Sequence, residues 1–444
     1  MTRRRRIDSW AGGRRIAVMT DPERLSICIV TDAFLPSIGG VENHVLYLST
    51  ELKRLGHDVV VVTHKPPPIT NPVAEQVESP VPVHRLAGGL LVFREHDIAI
   101  DPRMVTSFRG LLERNRFDIV HGQSEGSYLV YEALAAARRR GIATVLTRHS
   151  VLRNKPAIAR PFLISLTKLL ARRADGLIAV SRSCAEESAG FPGSIRIIPN
   201  GVDIDEFRPM PAERESLRVG LGFAAEDIVL GYVGRLHTTK GIPLLLDTFE
   251  QLRRGPLGTK SGLWGQSPCG DSPPRNVGHF GHVPAPRLKL LLAGPGPLRA
   301  AIEERAFASS GSIRLLGPQP FDKVAPLLNA LDVFAFPSRG EAFGISLLEA
   351  MACGLPSVAF GRWGVKELIL DGETGLLAGS PVDFSEKLRL LVSDRALRER
   401  LGRAARKSVE ERFSWPRVAA ETVAFYRELI AERKGVEESR IPGF

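Results

Sequence analysis

The sequence predicts an α/β chain of two successive doubly wound, Rossmann-like domains, each built on a parallel sheet. Short apolar runs of strand length alternate with helix-period stretches from Leu25 onward, and the same alternation restarts after Asn200-Gly201. No long helical bundle separates the two halves. Strands buried on both faces and spaced by helices read as near-continuous apolar runs, the mark of parallel sheets. At 444 residues the chain is long enough for two such cores.

The first apolar run covers 25–30 and leads into a loop holding Pro36, Gly39 and Gly40. A helical pattern follows, with Val41, Val45, Leu48 and Leu52 on one face and Gly56 as its stop. Runs at 59–62, 119–120, 143–146 and 177–180 are further strands of the first domain. In the second half the strand runs are 228–233, 288–293, 313–316, 333–336 and 357–360. The last amphipathic stretch, 418–430, follows a Ser414-Trp415-Pro416 start signal with Pro in the first turn. Expected boundaries are a basic, disordered extension over 1–24, a first domain over 25–200 and a second over 201–415. Residues 254–287, rich in Gly and Pro, interrupt the second domain where a connection of about two to six residues is usual. They read as a surface insertion, with a functional lid as the alternative.

Composition excludes several classes. An apolar share of 43% and a charged share of 25% are ordinary for a globular chain. No run approaches the roughly 20 apolar residues of a membrane-spanning helix, and no apolar segment follows the Arg-rich residues 3–6 to make a signal peptide. The four cysteines show no CxxC spacing, which argues against a zinc site or a disulfide framework and for a reducing, cytoplasmic setting. The net charge of +11 implies attraction to anions without saying which. Nucleic acid is not an expected partner.

In doubly wound sheets, ligands sit beyond the carboxyl ends of the strands, so the loops there carry the chemistry, and a cleft between the two domains is the default site. Gly39-Gly40 opens a helix, either as a simple turn or as a place where backbone approaches a phosphate. Gly234 and Arg235 begin, and Lys240 nearly ends, the loop after the first strand of the second domain. They are either solvated surface cations or a fork and a point charge aimed at a diphosphate. Glu341 and Glu349 stand eight residues apart. Glu341 is expected in a loop, Gly344-Ile345-Ser346 at a helix start able to hold phosphate, and Glu349 in the apolar helix beyond. A carboxylate in such a helix needs a partner, and a ribose diol would supply one. Gly294 lies in a tight Gly-Pro-Gly-Pro turn that suits a nucleotide contact. His121 and His149 follow strands of the first domain and point to a polar cleft.

Taken in order, Gly39-Gly40-Val41-Glu42, Ile198-Pro199-Asn200-Gly201-Val202-Asp203, Gly234-Arg235 with Lys240-Gly241, Ala293-Gly294-Pro295-Gly296 and the Glu341/Glu349 pair resemble the retaining glycosyltransferases of family GT4. The resemblance covers about Leu25 to Tyr426. It implies a GT-B fold, with the closing helix (416–434) crossing back onto the first domain. It also implies a nucleotide-diphosphate-sugar donor, a lipid or glycan acceptor, and no metal or other cofactor. Arg235 and Lys240 would neutralise the departing diphosphate, Gly39 and Gly40 would lie near it, and Glu341 would contact the transferred sugar. Glu349 would bind the ribose, and His149 would hydrogen-bond near the reacting sugar. The tempting metal-binding pattern Asp203-Ile204-Asp205 falls within the Asn-Gly-Val-Asp motif and is discounted.

Within the family, Gly39-Gly40-Val41-Glu42-Asn43-His44, Gly56-His57 and Thr63-His64 resemble the subunit that adds N-acetylglucosamine to phosphatidylinositol, and related lipid or polysaccharide transferases. One departure stands out. Where the family has His-x-His, this chain has His121-Gly122-Gln123, and Gln123 cannot act as a base; both His121 and Gln123 are assigned to the acceptor side. The basic, apolar stretch 153–173 is either a core-packed helix or a helix lying on an anionic membrane, which would make the enzyme peripheral at the inner membrane face. The competing readings are a non-catalytic nucleotide-sugar-binding subunit and an epimerase acting at C2 of a nucleotide sugar.

Overall fold

The computed structural model describes residues 6–9, 16–19, 24–36, 39–64, 79–86, 91–93, 98–151, 160–254 and 288–438. The chain divides into two compact units, Met1–Gly201 with Trp415–Phe444, and Val202–Ser414.

In the first unit, β1 (Arg6–Ser9) and β2 (Ile16–Met19) pair antiparallel. A disordered tail was expected there, but the short apolar run Ile16-Ala17-Val18-Met19 has the composition of a strand and pairs as one. The main sheet comprises β3 (Ser26–Val30), β4 (Asp58–His64) and β5 (Val83–Leu86), and after a small ribbon of β6 (Leu91–Phe93) and β7 (Ile98–Ile100), β8 (Ile119–Gln123), β9 (Ala143–Arg148), β10 (Gly176–Ala179) and β11 (Ser194–Ile197). Its order is β11-β10-β9-β8-β3-β4-β5, with every pairing parallel. The order reverses between β3 and β8, which opens a crevice at their carboxyl ends. Helix Gly40–Arg54 leaves that crevice with Val45, Leu48 and Leu52 buried. It stops where Gly56 takes a left-handed φ of 90° and donates to Lys53 O. Helix Trp415–Glu438 packs into the same core, burying Val418, Phe425, Tyr426 and Leu429 with Ile27 and Leu48.

The second unit holds β12 (Ile228–Val233), β13 (Leu288–Ala293), β14 (Ile313–Leu316), β15 (Val333–Phe336), β16 (Ser357–Phe360) and β17 (Leu376–Ala378). Its order, β14-β13-β12-β15-β16-β17, is again all parallel. Here the reversal falls between β12 and β15. Both folds are therefore the doubly wound α/β folds the alternation predicts. In the two main sheets the strands that periodicity did not flag, β5, β11 and β17, lie at edges. β5 and β11 are partly uncovered and carry polar residues among the apolar ones, and β17 is only three residues long. Beyond Arg254, the expected insertion at 254–287 lies outside the described residues.

Candidate active site

Three loops of the second unit meet beyond the carboxyl ends of β12, β13 and β15. Two glycines permit the meeting. Gly241 has φ 73° and Gly294 has φ 136°, and a Cβ on either would collide with backbone, the first with Pro337 O and the second with Gly234 O. Hydrogen bonds lock the contact: Gly234 N donates to Ala293 O at 2.9 Å and Leu236 N to Pro295 O at 2.7 Å. The β12 loop closes in a 3₁₀ turn, Thr238–Lys240, capped by His237 Nδ1, which accepts from Thr239 N at 3.1 Å.

This frame fixes the charged groups. Lys240 Nζ lies 2.5 Å from Glu341 Oε1, with both side chains mostly buried. Arg235, on the same loop, is exposed and its guanidinium has no partner among the described residues. Glu341 sits in the loop, as expected, and Gly344 with φ 106° starts helix Ile345–Ala352. No side chain caps that start, so the amides at Ile345 and Ser346 remain free for an anion. Glu349 lies further along the helix, 9% exposed, with no hydrogen-bond partner among the described residues. Burial, with Glu206 nearby, pushes its carboxyl up to about 8. Gly234, Gly294, Arg235, Lys240, Glu341, Gly344, Ile345 and Ser346 thus come together at the sheet's reversal point, with Glu349 on the helix that begins there. Asp203 is spent on a turn, its Oδ1 accepting from Asp205 N and Glu206 N at 3.0 Å each.

The first unit has its own polar cluster at the ends of β8 and β9. Gly39 caps helix Gly40–Arg54 without a side chain, but the Glu42 carboxylate lies against it. The protein's own anion therefore sits at that helix start. His44, one turn in, contacts Asn200 Oδ1 through Nδ1 at 2.8 Å. Gly201 packs on Trp415, so the Asn-Gly motif of the sequence serves the packing of this unit. His149 Nε2 lies 2.8 Å from Gln123 Oε1, and its ring meets His44 edge-on at 4.7 Å between centroids. His121 and Gln123, assigned from sequence to the acceptor side, are fully buried instead. His121 is taken up by Thr147 Oγ1 at 2.6 Å and Tyr426 Oη at 2.5 Å, because the closing helix covers this end of the sheet. Burial lowers all three imidazoles, His44 to about 4, His121 to about 3 and His149 well below its ordinary value, so each is neutral at pH 7.

Sequence reasoning missed the ion cluster beneath His149. Arg148 is buried between Glu187, at 2.9 Å, and Glu125, at 3.6 Å. Glu125 also accepts from the backbone amides of His149 and Ser150 at 3.1 Å each. The one available signal was Arg148 at the end of an apolar strand run, since a buried charge must be paired; Glu125 and Glu187 stand in polar segments that gave none.

The model of Glycosyltransferase Family 4 matches residues 38–206, and that of Glycosyl transferases group 1 matches residues 277–394. This chain is a glycosyltransferase with a family 4 domain in its first half. The phosphatidylinositol N-acetylglucosaminyltransferase gpi3 subunit of Schizosaccharomyces pombe is 25% identical over 91% of this chain and 81% of its own length. The D-inositol 3-phosphate glycosyltransferase of Xylanimonas cellulosilytica is 28% identical over 89% of this chain and 93% of its own. Among solved structures, sucrose-phosphate synthase from Thermosynechococcus elongatus superposes with a TM-score of 0.71 at 22% identity, covering 92% of this chain and all of that one. The fold of this glycosyltransferase is GT-B.

The raised pKa of Glu349 makes a stability prediction. A carboxyl whose folded pKa lies above its unfolded value favours folding fully at low pH and loses that contribution as pH climbs toward about 8. Glu349→Gln removes the titration. Thermal melts from pH 5 to 9 should show the variant gaining on the wild-type protein as pH rises. A gap that stays constant with pH contradicts the assignment.

Proposed function

We propose that this glycosyltransferase moves a sugar, with retention and without a metal, from a nucleoside-diphosphate sugar to a hydroxyl of a lipid or glycan acceptor. One observation carries the reading: an unpaired arginine, a lysine held by a glutamate and an uncapped helix start converge at the reversal point of the second sheet. The donor diphosphate takes the helix amides and Arg235, and draws Lys240 from Glu341. The freed Glu341 carboxylate then hydrogen-bonds hydroxyls of the transferred sugar. Glu349, neutral in the empty protein, ionises as it accepts from the ribose diol.

As the glycosidic C–O bond breaks, negative charge builds on the leaving diphosphate. Arg235, Lys240 and the amide dipoles are already aimed at it, and stabilisation that grows with bond breaking is what accelerates the step. The acceptor hydroxyl enters on the face the diphosphate leaves and passes its proton toward that group. Two cations and a helix dipole supply the charge that a divalent ion would otherwise bring. His149 hydrogen-bonds a hydroxyl near the reacting carbon.

The two relatives above share an inositol in their names, so inositol phosphate and its lipids are the first acceptors to test. Helix Arg160–Ala171 supports a lipid surface as the place where the acceptor is met. Leu166 and Leu169 are exposed, at 38% and 60%, beside Lys168 and Arg172. None of the described helices is long and apolar enough to cross a membrane. The proposed location is cytoplasmic, on the inner membrane face.

Three experiments test the reading. A thermal-shift screen of nucleotide sugars identifies the donor. With that donor, Arg235→Ala should cut kcat about 10²–10³-fold, the usual cost of one preorganised donor, while a chelator leaves the wild-type rate intact. Full activity in Arg235→Ala, or activity abolished by chelation, excludes the mechanism, and no turnover with any donor favours a non-catalytic subunit. Sedimentation with anionic vesicles at low salt should retain the protein and lose it on Leu166→Asp/Leu169→Asp. Absence of wild-type binding removes the membrane location.

A further inference from the structure

We propose that Gln123 is a positioning residue that holds His149 as its neutral Nε2–H tautomer, leaving the Nδ1 lone pair as a fixed acceptor for a substrate hydroxyl. The proposal rests on the sugar-transfer reading, in which His149 faces the reacting sugar. A carboxamide oxygen only accepts, so its 2.8 Å contact with His149 Nε2 puts the proton on that nitrogen. The amide nitrogen lies against the neighbouring ring, 3.0 Å from His121 Nε2 and 3.3 Å from Nδ1, while Thr147 Oγ1 is the closer partner of Nε2 at 2.6 Å. His121 Nδ1 in turn meets Tyr426 Oη at 2.5 Å. One buried amide thus fixes the tautomer of His149, and the contacts run on through His121 to the closing helix of the same unit.

The rest of the surroundings fit an element held still. Glu125 grips the His149 backbone amide, so main chain and ring are both fixed. Gln123 is fully buried, and no bulk water competes for its amide. His149 is the partly exposed end of the chain, and its Nδ1 has no partner among the described residues. The titratable and charged groups around it are His44 on helix Gly40–Arg54, His121 on β8, Arg148 on β9 and the Glu125 carboxylate. A histidine at 123 would add another titrating group to this set. Glutamine keeps the chain neutral and its direction independent of pH.

The test is a long-range proton–nitrogen correlation spectrum of the full-length protein, with the His149 ring assigned by its loss in His149→Ala. Wild type should show the Nε2–H pattern across about pH 6–8. Gln123→Met keeps the bulk and removes the hydrogen bond to His149. It should give mixed tautomers and, with the identified donor, a kcat lower by about tenfold while KM changes little. Gln123→Glu retains an acceptor but adds charge. It should keep the Nε2 proton and raise the His149 pKa into the measurable range, an outcome that a merely space-filling role would not produce. A wild-type Nδ1–H pattern overturns the proposal, as does a Gln123→Met protein with unchanged tautomer and kcat. If Gln123→Met does not fold, the Gln123→Glu titration decides: an unmoved His149 pKa overturns it. The spectra need no turnover, so failure of the transfer reading and failure of this proposal are separately visible.

Discussion

The candidate site depends on one constraint: three loops at the reversal point of the second sheet touch backbone to backbone. Gly241 rests on Pro337 and Gly294 on Gly234, each with φ values that a side chain resists. That contact brings Lys240, from the loop after β12, within 2.5 Å of Glu341, from the loop after β15. Without it the two residues would be ordinary surface charges 101 positions apart. With it, a cation is stored beside a carboxylate in a poorly solvated place, where exchange for a doubly charged phosphate is electrostatically favourable.

The pairing also offsets charge. Glu341 neutralises Lys240 and leaves Arg235 exposed on the same loop. Glu349 handles the same problem differently: buried with Glu206 nearby and no cation, it takes up a proton. The polar cluster of the first unit relies on neutrality. The imidazoles of His44, His121 and His149 are uncharged, the Gln123 amide cannot titrate, and the buried Arg148 lies between two carboxylates.

Much of this could be read in the sequence. Interior strands announced themselves as apolar runs because both their faces are covered, and the loops after β12, β13 and β15 were recognisable from Gly234, Gly294 and Gly344. The loop position of Glu341 and the helical position of Glu349 followed from local pattern alone. What stayed hidden was anything that depends on which way a strand-end side chain turns. His121 and Gln123 alternate along β8 as candidate surface groups, yet both are buried, His121 against Tyr426 more than 300 residues away. The Arg148–Glu187 pair and the approach of Glu206 to Glu349 likewise join segments whose proximity only tertiary packing creates. The edge strands β5 and β11 escaped for the opposite reason, since polar residues at their partly exposed positions break the apolar run.

The most direct measurement of the central claim is a crystal structure with a nucleoside diphosphate bound. The account predicts the terminal phosphate between Arg235 and Lys240, on the amides of Ile345 and Ser346, with Lys240 drawn away from Glu341 and Glu349 within hydrogen-bonding distance of both ribose hydroxyls. A diphosphate bound elsewhere, or bound there with the Lys240–Glu341 pair intact, would contradict it.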